Sequence, residues 1–197
     1  MKKYACLALL LSIVLLPSLA GLAYGSKQSF SGYGDDIVEI PSIEDGYAFY
    51  IEGNRGSRHF SVKAYDISGD YLELLVNTTE VYKGTTLDPS LTTRILEVNA
   101  EGSWKIQLVP LYSLESVTRG RTFMGEGDSV VLVKDPGMTA SITGNAGEHH
   151  FSIWSYGETG RDLLVNTTDR YSGKVMLRND PFLFVISAEG SWTILLN

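Results

Sequence analysis

The second half of the chain repeats the first, and this repeat constrains the fold more than any other feature. Five short segments of the first half return in the same order in the second half. The paired segments are 30–35 and 123–128, 53–56 and 144–147, 59–62 and 150–153, 74–79 and 163–168, and 100–104 and 188–192. A position that is kept in both copies is constrained by a fold, or by a site, that occurs twice. The sequence therefore predicts two copies of one structural unit.

The residues between the turns favour β-strands. Short runs rich in Val, Ile, Thr, Tyr, Phe and Trp are broken by Gly, Asn, Asp or Pro, and no sustained helical period follows residue 25. Phe60, Val62 and Ala64 alternate with polar neighbours, and Trp104 and Trp192 are in phase with apolar residues. These patterns predict an all-β fold of two tandem antiparallel β-sandwich units, jelly-roll or immunoglobulin-like, with six to seven strands each.

The N-terminus has the pattern of a signal peptide. Lys2 and Lys3 precede an apolar run at 5–16, and small residues follow Pro17. We expect cleavage after Gly25, with Ala20 as the alternative position. An uncleaved membrane anchor stays open as a second interpretation, because residues 4–24 carry no charge. The predicted organisation is a signal peptide at 1–25, a first repeat at 26–112, a linker at 113–122 and a second repeat at 123–197, in a secreted or cell-surface protein.

Composition narrows the classes of function. Cys6 is the only cysteine, so a chain that has lost its signal peptide has no disulfide, thiolate metal site or cysteine nucleophile. The formal net charge of −7 argues against a nucleic-acid partner and against anionic membrane surfaces. The membrane would then be reached only through an uncleaved signal segment.

The repeated motifs resemble a known family. The residues that carry the likeness are Gly125-x-Gly127-Asp128, His150-Phe151, Leu163-Leu164-Val165-Asn166 and Ala188-x-Gly190-x-Trp192-x-Ile194, with their equivalents in the first copy. Together they resemble the secreted β-sandwich repeat units of bacterial and archaeal surface proteins. The resemblance implies a small extracellular module and no known activity.

Polar motifs offer few candidate sites. Asp35, Asp36 and Asp128, with Glu44, Asp45 and Asp88, have oxygen ligands for Ca²⁺, but their spacing matches no calcium loop and favours turns. His59, His149 and His150 lack the companions that a zinc site or a catalytic triad needs, so we expect outward-facing residues. Asn77 and Asn166 each begin an N-x-Thr sequon, which is either a glycosylation acceptor or only the end of a strand.

Aromatic residues outside the core phase are the remaining candidates. Tyr65, Tyr156 and Trp154 fall on the strand face opposite the phenylalanines, where flat rings either contact a glycan or a partner protein, or pack across strands. Lys63 replaces Trp154 in the first copy, and such a difference marks where the copies diverge in use. We expect no catalysis and no cofactor, but a binding or structural role with an extracellular protein or glycan as partner. The alternative is an accessory module that works with a separate secreted hydrolase.

Overall fold

The computed structural model describes residues 28–43, 46–56 and 58–197. The predicted signal peptide, Cys6, Glu44 and Asp45 lie outside these residues. No helix in the described part of the chain is long and apolar enough to cross a membrane.

The described chain consists of short strands. Those of the first half are β1 (Ser29–Tyr33), β2 (Asp36–Glu39), β3 (Tyr47–Gly53), β4 (Phe60–Tyr65), β5 (Tyr71–Thr78), β6 (Tyr82–Thr86), β7 (Ile95–Ala100) and β8 (Ser103–Pro110). After a 3₁₀ turn at Leu111–Ser113, the second half contains β9 (Ser116–Thr118), β10 (Thr122–Glu126), β11 (Ser129–Lys134), β12 (Thr139–Gly144), β13 (Phe151–Gly157), β14 (Gly160–Thr167), β15 (Tyr171–Met176), β16 (Pro181–Ala188) and β17 (Ser191–Leu196). Strands make up 62% of the described residues, which include no α-helix, so the predicted all-β sandwich is confirmed.

The two halves have the same strand order. In the first half the sheets run β1-β8-β3-β6 and β2-β7-β4-β5, and in the second they run β10-β17-β12-β15 and β14-β13-β16-β11-β9. Every strand therefore has a counterpart except β9, which lies within the predicted linker and pairs in parallel with β11. All other pairings are antiparallel.

The prediction of six to seven strands per unit is too low, because the described residues form eight strands in the first half and nine in the second. The Gly-x-Gly-Asp motifs at 32–35 and 125–128 predict turns. In the structure the first glycine of each pair, Gly32 or Gly125, lies inside a strand. Glycine weakens a strand, and its presence there needs a tertiary cause.

Each half has its own apolar core between its two sheets. The first core includes Phe49, Phe60 and Trp104, and the second includes Phe151 and Trp192. Residues that alternate along β4 and β13 point into these cores, as the sequence pattern predicts. The inward direction of both tryptophans is confirmed, since Trp104 is 4% exposed and Trp192 is 2% exposed.

A third apolar cluster joins the halves. Its buried members are Ala48 and Leu87 of the first half and Val130 and Leu183 of the second. The partly buried residues packed against it are Leu111, Leu114, Leu132, Tyr156 and Val185. Since Leu111 and Leu114 lie between β8 and β9, the connection itself contributes to the contact.

Candidate functional site

The repeated glycines and tryptophans hold each sandwich together. Trp104 Nε1 donates a hydrogen bond to the Gly34 carbonyl oxygen at 2.9 Å, and Trp192 Nε1 donates to that of Gly127 at 3.0 Å. A Cβ atom on Gly32 would lie 2.8 Å from Cε2 of Trp104, which is closer than van der Waals contact allows. Gly125 has the same relation to Trp192. Because the strand glycines have no side chain, they leave the space in which the indole rings lie.

The repeated aspartates accept hydrogen bonds from backbone N–H groups. Asp35 Oδ1 accepts a hydrogen bond from the Ala100 N–H at 2.9 Å, and Asp128 Oδ1 accepts one from the Ala188 N–H at 2.9 Å. The expected bond from Asp to the backbone is present, but it reaches a strand that lies far away in sequence and not the residues that follow the turn. In the described residues no three His, Cys, Asp or Glu side chains lie close enough together to hold a metal ion.

The repeated asparagines close the loops before β4 and β13. Asn54 and Asn145 are buried and have positive φ angles of 59° and 57°, a conformation that Asn tolerates better than most residues. Asn145 Nδ2 donates to the carbonyl oxygens of His149 at 2.6 Å and Asp169 at 2.9 Å, and its Oδ1 accepts from the His149 N–H at 2.9 Å. Asn54 makes the corresponding bonds to Arg58 and Glu80. Both asparagines are structural.

The sequon asparagines and the histidines lie on the surface. Asn77 and Asn166 are exposed on β5 and β14, which are edge strands of their sheets. His59, His149 and His150 are also exposed. The Nδ1 atom of His149 lies 3.4 Å from Oε2 of Glu189. This is the position that the Arg58–Glu101 ion pair occupies in the first half.

The main difference between the halves is on the outer face of the sheet that contains β4 or β13. Matching strand registers place Lys63 opposite Glu97 in the first half, and Trp154 opposite Val185 in the second. By the same registers, Ile37 and Glu39 of β2 correspond to Val130 and Leu132 of β11. Ile95 and Glu97 of β7 correspond to Leu183 and Val185 of β16, and Lys63 and Tyr65 of β4 correspond to Trp154 and Tyr156 of β13. The face is mixed and charged in the first half and apolar in the second.

In the first half this face carries a polar network. Tyr65 Oη donates to Oε2 of Glu97 at 2.7 Å, and Lys63 Nζ donates to Oε1 at 2.9 Å. These two hydrogen bonds lower the pKa of the Glu97 carboxyl. The Tyr65 ring also packs edge-on against Tyr71, with centroids 5.9 Å apart. The predicted contact residue Tyr65 therefore has partners of its own.

In the second half the apolar face divides into two zones. Tyr156 packs against the third cluster, and burial raises the pKa of its hydroxyl while the neighbouring Arg161 opposes that rise. Trp154 carries the Arg161 guanidinium over its ring, 4.7 Å from the centroid. Leu163, opposite Trp154 on β14, is 39% exposed. Of the predicted contact residues in this half, Tyr156 lies at the junction of the halves, and Trp154 is partly buried under Arg161 beside the exposed Leu163.

A cleft of about 480 Å³ opens between the halves. Tyr50, Thr85 and Gln107 of the first half line it, together with Met124 and Ser129 of the second. Tyr50 Oη donates to Oε1 of Glu52 at 2.6 Å, and burial together with this bond raises the pKa of Tyr50 to about 12. The tyrosine is thus a neutral hydroxyl at physiological pH.

No family model matches the chain, and no curated protein matches it in sequence. A solved structure described as "cAMP bound PfPKA-R (141-441)" aligns with 86% of this chain and 70% of its own at 6% identity. The TM-score of 0.24 is too low for this likeness to indicate a shared fold.

Sequence reasoning did not identify the junction between the halves. The available signal was the coordinated difference between copies, in which Lys63 and Glu97 both become apolar at Trp154 and Val185. Only the first of these differences was recognised, because the second becomes meaningful when the two strands are known to be neighbours.

Proposed function

We propose that this chain is a secreted or cell-surface, non-catalytic protein with a binding or structural role, formed by internal duplication of one β-sandwich unit. The observation that carries the proposal is the use of the repeated polar residues. Asp35, Asp128, Asn54 and Asn145 all donate to or accept from backbone groups of their own half. Because these side chains stabilise the fold of each half, their repetition does not indicate a catalytic site that occurs twice.

The basic residues and apolar run at the N-terminus support export. A two-unit body without disulfides depends on its apolar cores for stability. The three apolar clusters, one of which lies between the halves, are these cores. Such a body suits the display of a surface to an extracellular partner.

Mass spectrometry of the full chain, expressed with a C-terminal tag in a bacterial host, tests export. We expect the chain outside the cytoplasm with Ser26 as its first residue, or Gly21 if cleavage follows Ala20. The same spectrum reports any glycan on Asn77 or Asn166. A chain that stays in the cytoplasm and retains Met1 contradicts the proposed localisation.

The proposed contact surface is the zone of Trp154, Arg161 and Leu163, because it combines an aromatic ring, a cation and exposed apolar area. We expect the purified chain to bind at least one glycan on an array, and Trp154→Lys, which introduces the residue of the first copy, to weaken binding about tenfold. Tyr112→Lys, at a tyrosine that is 63% exposed in the connection, is the matched control and should bind normally. A blank array for the unaltered chain contradicts the glycan partner.

A further inference from the structure

The two halves are joined by two different surfaces. Tyr82 Oη donates to Oδ2 of Asp128 at 2.7 Å, and the Thr85 N–H donates to the Asp128 carbonyl oxygen at 2.9 Å. A Cβ atom on Gly84 would lie 2.9 Å from Cβ of Asp128, so the glycine permits the close approach. We call the β6 side of this contact the tail surface and the β11 side the head surface. A contact between unlike surfaces is heterologous, and it can be repeated indefinitely.

Each half carries both surfaces, and the chain uses only one of each. Tyr171 and Gly173 on β15 are the counterparts of Tyr82 and Gly84, and Asp35 is the counterpart of Asp128. Asp35 Oδ1 bonds to Ala100, but its Oδ2 has no hydrogen-bond partner in the described chain, and neither has the Tyr171 hydroxyl. The second half thus ends in an unused tail surface, and the first half begins with an unused head surface.

The unused surfaces have complementary charges. Thr85 and Ser129 line the same cleft within the chain, and their counterparts are Lys174 on the unused tail and Asp36 on the unused head. Both counterparts are exposed. Asp35, Asp36 and Ile37 line a shallow cavity of about 430 Å³ on the head.

Apolar contacts are also available on both sides. Met176, the counterpart of Leu87 in the third cluster, is 56% exposed on the tail. On the head, Ile37 is 60% exposed where Val130 of the second half is buried in the third cluster. The two free surfaces therefore combine apolar area with opposite charge, as interfaces between proteins do.

We propose that a second copy of this chain docks its tail surface on the head surface of the first, with Tyr171 donating to Asp35 and Lys174 facing Asp36. The contact repeats the one between the halves, so copies add in a row and do not close as a symmetric pair. This goes beyond the proposed function, since it names the chain itself as a partner whatever else the chain binds.

Sedimentation equilibrium of the full mature chain at low salt tests the proposal. We expect the average mass to rise continuously with concentration past that of a dimer, and to fall when salt screens Lys174 and Asp36. A monomeric mass at every concentration up to about 1 mM overturns the proposal. A mass that stops at the dimer overturns it as well.

A charge exchange separates docking from misfolding. Asp36→Lys and Lys174→Asp each place like charges across the contact, so either variant alone should remain monomeric. An equimolar mixture of the two, and the doubly substituted chain, restore opposite charges and should regain the rise in mass. If neither recovers while both variants remain folded by circular dichroism, the proposed pairing is wrong.

Equivalent tyrosines provide a matched control. Tyr171→Phe removes the proposed bond between copies and should weaken association about tenfold while the melting temperature stays the same. Tyr82→Phe removes the bond within the chain and should lower the melting temperature while association is kept. Equal association by the Tyr171→Phe variant and the unaltered chain overturns the role of this residue.

Discussion

Substitution of Trp192 by alanine is expected to destabilise the second half by about 3–5 kcal/mol, the usual cost of truncating a buried aromatic side chain. Trp192 is 2% exposed, and its ring contacts Gly125 and Phe123. The substitution also leaves the Gly127 carbonyl oxygen without its 3.0 Å hydrogen bond. Urea unfolding followed by circular dichroism measures the effect. The transition of the first half, which has its own core, should move much less.

A double-mutant cycle tests whether the ring explains the glycine. In the unaltered chain, Gly125→Ala should cost about 2 kcal/mol, because the new methyl group overlaps the indole. In the Trp192→Ala background the ring is gone, and the same change should be neutral or slightly stabilising, since alanine suits a strand better than glycine. If Gly125→Ala costs the same in both backgrounds, the contact with Trp192 is not the reason for the glycine.

This contact also explains what the sequence predicted and what it did not. Alternation along the last strand was enough to place Trp104 and Trp192 inside, because that signal lies in consecutive residues. The Gly-x-Gly-Asp motifs that begin at Gly32 and Gly125 predict turns, because local preference disfavours glycine in a strand. Glycine is required at both positions because an indole ring from a residue far away in sequence packs there. A preference based on neighbouring residues does not include that contact.

The candidate site follows the same pattern. The exchange of Lys63 for Trp154 correctly indicated that one face differs between the halves, but not that part of this face is covered by the first half. Val130, Leu132, Leu183 and Val185 are ordinary strand residues when each is considered alone. Their role in joining the halves becomes evident only when the strand register places them on one surface that packs against Ala48 and Leu87.

The second large effect is expected at Asp128, compared with its counterpart Asp35. Both carboxylates accept an N–H bond from the hairpin strand at 2.9 Å, so either Asp→Ala substitution should cost about 1 kcal/mol on that account. Asp128 alone also accepts from the Tyr82 hydroxyl at 2.7 Å. Burial, followed by the proximity of Asp128, raises the pKa of Tyr82, so this hydroxyl remains a protonated donor throughout the physiological range.

Loss of that acceptor leaves a largely buried hydroxyl unpaired, which should add about 1–3 kcal/mol to the cost of Asp128→Ala. The free energy of unfolding is best measured at micromolar concentration, where association between copies does not contribute. Tyr82→Phe removes the unpaired donor, so in its background Asp128→Ala should cost no more than Asp35→Ala does. Equal costs for the two aspartates in the unaltered chain would show that the Tyr82–Asp128 bond does not couple the halves. The junction would then depend on the apolar cluster and on the backbone hydrogen bond from Thr85 to Asp128.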